Sequence, residues 1–515
     1  MAEFTGLRIA PATLAPTTVT LVWDKVPQAQ GYAVFGGPIA PVMRKARQTH
    51  VTLVGLLPHH EYRIGVRAIG AGVNAEINFI TPLAQTVIDV LKPPYSVDPT
   101  GQTKATQALQ QAIDDAQPGD CVWLPKGAAV LSGALYLHSD MTLQVDGVLQ
   151  GTSDPDDYLQ PAAAGDDPYA GLIQSRYEGW EMKCFASLIN AGVIDTGDRS
   201  RVACHDLRIV GSGTIRGGGT ALGDAQRERY SDVSRYPQYL SDGRPGRRVR
   251  GRLINLSQCH NVELAGLTIA DPPAWTIHMI YCDTITSHGL HIQSRGVDNG
   301  DGWDPDSSRH CMIFDTTFDT GDDCIAIKSG KNPEGASLAI PTVGVQVFDL
   351  DILGGHGLAI GSEQSGGVQD VLIRDCTVHH TKLGVQLKAH KDRGGYIKQV
   401  LVQDCDLDSF TVQSVDYNAD GEPAPTRPEI RDITVIDTKI GGRQPAVKLV
   451  GFDDPAHYLK NIRLANLVVD GGDAKAIEMA CVDGVELTNV MTPAGHTPSI
   501  DQDPATVLNV KLNEE

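Results

Sequence analysis

The feature that most constrains this chain is a short phrase that keeps returning. A β run is followed by Asp or Asn, then Cys or Thr, then one variable residue and an apolar one. It reads Leu372-Ile373-Arg374-Asp375-Cys376-Thr377-Val378 and again, 29 residues on, Leu401-Val402-Gln403-Asp404-Cys405-Asp406-Leu407. Related runs are Val262-Glu263-Leu264, Gly289-Leu290-His291-Ile292, Gly344-Val345-Gln346-Val347 and Val371-Leu372-Ile373. Their offsets vary, as they do when loops of unequal length leave coils of one kind. A chain of 515 residues is too long for one ordinary core, but a core that grows in one dimension accommodates it. Without long helices between the strands a βα barrel is excluded, and the repeat is too short for a four-stranded propeller blade. The expectation is all-β: a parallel β-helix.

Two segments precede the repeats. In Thr18–Trp23 the residues Val19, Leu21 and Trp23 share one face, and Tyr62, Ile64, Val66 and Ala68 alternate with outward Arg63 and Arg67. Short strands between Pro and Gly clusters predict a small β-sandwich over residues 1–84. With Trp23 upstream, Gly55-Leu56-Leu57-Pro58-His59-His60-Glu61-Tyr62 resembles the tyrosine-corner region of fibronectin type III domains, which implies a spacer or docking module. A Pro-containing connector leads to the large domain, set at 95–515. Ala105, Leu109 and Ile113 then fall at helical spacing, so one amphipathic helix over 105–116, with Gly119 beyond it, is expected to cap the solenoid's first edge.

A net charge of −20 argues against nucleic acid as a partner, and no apolar run of 18 residues exists to insert into a membrane. The first residues lack a basic region followed by an apolar stretch, so no secretory leader is expected in this chain. Ten cysteines show no CxxC pair and no zinc-like spacing; they are expected to be buried stacking residues, with no metal and no cofactor.

The chemistry lies in four motifs. Asp301 sits in Asp298-Asn299-Gly300-Asp301-Gly302-Trp303-Asp304, and Asp322-Asp323 follow 21 residues later in Thr320-Gly321-Asp322-Asp323-Cys324. His356 lies between Gly355 and Gly357, and Lys388 ends Gln386-Leu387-Lys388. Each interval suits one coil plus a loop, so stacking would bring distant carboxylates into one row. Glycosidic cleavage needs such a row: a protonated carboxyl for the leaving oxygen and a carboxylate to activate water. Crowding like charges lets acid and base coexist. Taken singly, each Asp-Gly loop reads equally well as a turn or a calcium loop.

In this order and combination the motifs resemble those of the polygalacturonase family of glycoside hydrolases. The likeness extends through Val97-Asp98-Pro99-Thr100-Gly101, Ser175-Arg176-Tyr177-Glu178-Gly179, Trp275-Thr276-Ile277-His278 and Gly361-Ser362-Glu363-Gln364-Ser365-Gly366-Gly367, over roughly residues 95–490. The resemblance implies a right-handed β-helix and metal-free hydrolysis of galacturonate polymers or oligomers with inversion. Asp322 would be the general acid, Asp301 and Asp323 would hold and deprotonate water, and His356 would tune the acid. Asn299, Lys328, Glu363, Gln386, Lys388 and Arg393 would contact substrate. An N-terminal module and long insertions at 154–190 and 223–252 look like those of bacterial exo-acting members, which would release mono- or digalacturonate and work in a secreted or periplasmic setting.

Two departures stand out. Gly300 replaces a family Thr, and Gln386 stands where the family's Arg-x-Lys motif has arginine, with Arg393 a candidate substitute. Lys328, Lys388, Lys391, Arg393 and His356 form the expected local basic cluster. A second basic run, Arg244, Arg247, Arg248, Arg250 and Arg252, is read as a solvated loop ahead of substrate contact. Rival readings are hydrolysis of rhamnogalacturonan or xylogalacturonan, a calcium-dependent lyase, and a non-catalytic glycan-binding β-helix.

Overall fold

The computed structural model describes residues 3–37, 40–161, 167–417, 419–471 and 475–513. From residue 87 the chain winds into parallel coils. Strands stack in a large sheet whose coils each contribute up to two strand positions, and in a second, 12-stranded parallel sheet. Leu372 pairs with Leu401, the coil length read from the repeat. Val, Ile and Leu point inward from every coil to make one continuous core running from Val90 to Leu487. This is the right-handed β-helix expected, and the fold is nearly all-β.

Backbone geometry explains the recurring phrase. Asp315, Asp349, Asp375, Asp404, Asp437, Asn466 and Asn489 all adopt φ between 50° and 54°, the left-handed region that Asp and Asn tolerate best among residues with a side chain. Each turns one corner of a coil. Where Cys or Thr follows the corner it stays buried, and its thiol or hydroxyl points back at the carbonyl two residues earlier: Cys376 to Arg374 (3.2 Å), Cys405 to Gln403 (3.2 Å), Thr438 to Ile436 (2.8 Å). Cys and Thr interchange here because both are small donors. All ten cysteines are buried and unpaired, as expected.

Helix α1 (Thr106–Asp115) closes the N-terminal end of the core, burying Leu109, Ala112 and Ile113. Gln110 fastens it to the first coil by bonding both the N–H and the carbonyl of Tyr136 (2.9 Å each). Sequence periodicity missed a second helix, α2 (Gly219–Arg229), which leads into the 223–252 insertion; it is polar and only weakly amphipathic. The solenoid also starts earlier than residue 95. Strand Val87–Asp89, within the presumed connector, already pairs in parallel with Cys121–Trp123.

Ahead of it, a three-stranded antiparallel sheet (Arg8–Ile9, Thr18–Val22, His50–Val54) faces a four-stranded one (Gly31–Phe35, Val42–Lys45, Glu61–Ile69, Asn74–Ile80). Val19, Leu21, Trp23, Tyr62, Ile64 and Val66 form the core between them. The Leu57 N–H donates to the Tyr62 hydroxyl at 2.8 Å, tying the corner between strands. This small domain is docked on the large sheet's outer face, through Ala10 and Val22 against Met312, Phe314 and Phe348.

Candidate active site

Stacking does bring the four motifs together. In the 12-stranded sheet Trp303 pairs with Ile325, Asp323 with Gly357, and Ile360 with Leu387. The motifs carrying Asp301, Asp322-Asp323, His356 and Lys388 therefore occupy four successive coils. They line a cavity of about 490 Å³ with Asn299, Lys328, Glu363 and Gln386. Nine of the ten expected residues thus converge. Arg393 does not reach the cavity: it is fully buried, donating to the Ser362 carbonyl (3.0 Å) and Asn332 Oδ1 (2.6 Å), where it supports the Gly361–Gly367 loop from behind. Lys391 is exposed and does not line the cavity.

Each acidic group has a distinct environment. Asp301 is buried; Lys328 Nζ donates to its Oδ2 at 3.0 Å, and its Oδ1 has no partner. Burial drives its pKa up, Lys328 opposes, and the charges of Asp322 and Asp323 add to the rise, leaving it at about 7. Asp322 differs. Burial acts upward on it as well, but the 2.7 Å contact with His356 Nδ1, the charge there, and Lys388 and Lys328 pull it down to about 2. In return the hydrogen bond to Asp322 lifts His356 above its ordinary value, against burial. The proton of this contact thus rests on His356, and Asp322 is ionised. Asp323 accepts from Lys388 Nζ at 3.0 Å. The ligand atoms of Asp322, Asp323 and His356 lie within 4.8 Å of one another, close enough to hold a cation.

Lys328 is the hub of the floor. Its ammonium sits 4.0 Å from the Trp275 ring centroid, and burial alone would strip its charge; Asp301, Asp304, Glu363 and Asp323 keep it protonated. Trp275 stacks on Tyr177 (4.7 Å, 27°), and Arg252 lies over both rings. The Trp275–His278 and Ser175–Gly179 motifs therefore build the wall above the carboxylates. Residues 173–177 and 180–184 pair as an antiparallel hairpin whose turn, Glu178-Gly179, projects Glu178 into the cavity.

Of the arginine run only Arg244 is exposed, as expected of a solvated loop, where it pairs with Asp298 (2.7 Å). Arg247, Arg248, Arg250 and Arg252 are all buried because each finds partners distant in sequence. Arg247 donates to Asp298 (3.1 and 3.2 Å) and pairs with Asp242; Arg250 holds Asn299 Oδ1 (2.7 Å) and the Tyr177 hydroxyl (2.8 Å). Arg248 donates to Glu178 (2.7 Å) and pairs with Asp420, which also takes Lys331. Three excursions from the solenoid are bolted together at one side of the cavity: the hairpin, the 223–252 insertion and the loop carrying Asp420. Residues 162–166 of the 154–190 insertion lie outside the described residues.

Sequence reasoning gave no role to Trp275, Glu178, Asp242, Lys382, Gln413 or Tyr417, which complete the lining, or to Asp304 beneath it. Trp275 and Glu178 lay in motifs already singled out, and Asp304 in the same loop as Asp301. Asp304 is fully buried with neither oxygen partnered, and burial pushes its pKa well up. Nothing local marked Tyr417 or Gln413.

Comparison with known proteins agrees with this geometry. A family profile described as Glycosyl hydrolases family 28 matches residues 198–482, more than half of the chain. The chain is 26% identical over 457 residues (81% of this chain, 74% of the relative) to an exo-poly-alpha-D-galacturonosidase of Dickeya chrysanthemi. It is also 26% identical over 426 residues (78% and 79%) to a probable polygalacturonase of Vitis vinifera. In fold it matches the solved family 28 exopolygalacturonase of Yersinia enterocolitica, with a TM-score of 0.81, full coverage of both chains and 24% identity.

Proposed function

The chain belongs to glycosyl hydrolases family 28, and from that premise we propose that it is an inverting, exo-acting polygalacturonase that removes mono- or digalacturonate from chain ends. The observation that carries the exo reading is the clasp at one side of the cavity. Glu178 and Asp420 both pair with the buried Arg248 and so join three chain excursions, where an endo-acting groove must stay open for polymer to pass through. The Dickeya chrysanthemi exo-enzyme, similar along four-fifths of this chain, supports the same reading.

In the proposed mechanism the glycosidic oxygen lies against Asp322, which relays to it the proton held on His356, leaving His356 neutral. The C1–O bond breaks as water attacks C1 from the opposite face. Asp301 and Asp323 hold that water, and Asp301 accepts its proton once it is itself ionised. Lys328 keeps Asp301 within reach of ionisation, and Lys388 anchors Asp323 with two further N–H donors left for substrate. Asn299, fixed by Arg250, offers its amide to a sugar hydroxyl. We assign the small N-terminal domain, over residues 1–84, a docked spacer role. A polymer substrate places the enzyme in a secreted or periplasmic setting; no helix among the described residues is long and apolar enough to cross a membrane.

A time course on polygalacturonate with products separated by size tests this. The expected result is mono- or digalacturonate from the first minutes, saturated, chelator-insensitive and of inverted configuration. Early random shortening would refute the exo reading, and unsaturated, chelator-sensitive products would refute hydrolysis.

A further inference from the structure

The cavity of this enzyme is poor in free positive charge. Lys328 is committed to Asp301, Lys388 to Asp323, Arg247 to Asp298 and Asp242, and His356 to Asp322. Among the described lining residues, only Lys382 is a cation without an acidic partner, and it is exposed at the rim.

Against these stand two features on the same walls. Gln386 is 2% exposed, faces the cavity and leaves its Oε1 without a partner. It shares its strand with Lys388 two residues on, so both side chains leave the same face of the sheet. Glu363 lines the cavity too. Burial pushes its pKa up, but Lys328, Lys331, Arg393 and Lys388 outweigh this and hold it below the usual carboxylate value, so it is an anion.

A sugar carboxylate placed here would meet a neutral amide, a fixed anion and a lysine already neutralised by Asp323. An unesterified galacturonate would thus lose a charge-assisted contact and gain a repulsion. A methyl ester suits the site better. Its carbonyl accepts from the Gln386 amide or a spare Lys388 N–H, the ring hydroxyls can donate to the orphaned Oε1, and nothing is repelled.

Resting on the polygalacturonase reading above, we propose that Gln386 sets specificity for an uncharged C6 group, so that the ring contacting Gln386 is a methyl-esterified galacturonosyl residue. The enzyme then works on partly esterified pectin as well as on free polygalacturonate, trimming ends that carry an ester.

Defined trigalacturonides test this without any mutation. One is fully unesterified, and others carry a single methyl ester at each ring in turn. For one ester position the native enzyme is expected to show kcat/KM at least equal to that for the free acid. Gln386→Arg should reverse the preference, raising the free acid about tenfold and lowering that ester about tenfold, the scale of one charge-assisted hydrogen bond. Since arginine is larger than the buried amide, Gln386→Leu gives a second reading; it should lower turnover of the ester more than that of the acid. A native preference of tenfold or more for the free acid over every ester would overturn the proposal while leaving the polygalacturonase reading intact. Cleavage of none of these trisaccharides would overturn both. Turnover restricted to oligomers branched with a neutral sugar would overturn the ester in favour of a branched substrate.

Discussion

The seam between the small domain and the solenoid and the floor of the cavity both bury carboxylates, and they treat them in opposite ways. At the seam the buried carboxylates Asp349 and Asp375 are each paired with cationic side chains. Asp349 forms an ion pair with Arg47 Nε (2.9 Å, without hydrogen-bond geometry) and lies 2.8 Å from His50 Nε2, while Asp375 is shared by Lys25 (2.5 Å) and Arg374 (2.7 Å). Arg374 also reaches Thr49 of the small domain (2.6 Å), and a ladder of His288, Phe314 and Phe348 rings packs alongside. On the cavity floor Asp304 has neither a hydrogen bond nor an ion pair on either oxygen, and Asp301 is paired through Oδ2 alone. Matched charges hold two bodies in one register. Unmatched ones store proton affinity, which is the resource that acid–base catalysis draws on.

Removing the proton donor should break the floor's function most severely. Asp322→Asn is expected to lower kcat by about 10⁴-fold, the upper range for loss of a general acid, with little change in melting temperature. A loss smaller than tenfold in purified protein would move the acid role to another carboxyl. The same geometry gives kcat/KM a bell-shaped pH profile. It rises as Asp301 ionises near 7 and falls as His356, lifted by Asp322, loses its proton.

The second effect is on stability, and its sign is unusual for an aspartate. An unfolded Asp ionises near 3.8, whereas folded Asp301 holds its proton to about 7. Between those values the folded state binds a proton that the unfolded chain has released, so this group destabilises progressively as pH rises and in full above 7. The penalty approaches about 4 kcal/mol. Asp301→Asn, which cannot ionise, should therefore gain stability relative to the native enzyme between pH 4 and pH 8 while losing activity. Urea denaturation of both proteins across that range measures it; a constant difference would mean that Asp301 is not held protonated.

At the seam the expectation is the reverse. Asp349→Ala removes a matched carboxylate, leaves His50 buried beside Arg47, and should cost about 2–3 kcal/mol at pH 7 with catalysis intact. A fall in kcat with unchanged stability would show that the small domain talks to the site rather than simply standing beside it.

How much of this was written in the sequence depended on range. The coil repeat was legible because the left-handed corner must recur once per coil, and only Asp, Asn or Gly satisfies it easily; hence the 29-residue echo from Asp375 to Asp404. The row Asp301, Asp322-Asp323, His356 and Lys388 was legible because a solenoid turns equal chain intervals into vertical neighbours. Asp349 and Asp375 read only as corner residues, and nothing local said that the same side chains also receive the small domain. Four of the five arginines were misread for a related reason: clustered cations look solvated, as Arg244 is, until Glu178, Asp298 and Asp420 arrive from elsewhere in the chain. Arg393 fell the other way. Five residues past Lys388, it was assigned to the cavity by proximity, but the chain turns after His390 and buries it behind Ser362.

The smallest expected effect calibrates the comparison. Arg63 and Glu76 form an ion pair on the small domain's four-stranded sheet, with side chains 72% and 39% exposed. Water already solvates both partners, so the pair gains little on forming and is screened by salt. Arg63→Ala should cost no more than about 0.5 kcal/mol, and less in 0.5 M salt. Chemical denaturation of this variant beside Asp349→Ala isolates burial as the cause. If the exposed pair cost as much as the seam residue, matching at the seam would carry no special weight, and apolar packing of Phe314 and Phe348 alone would have to account for docking.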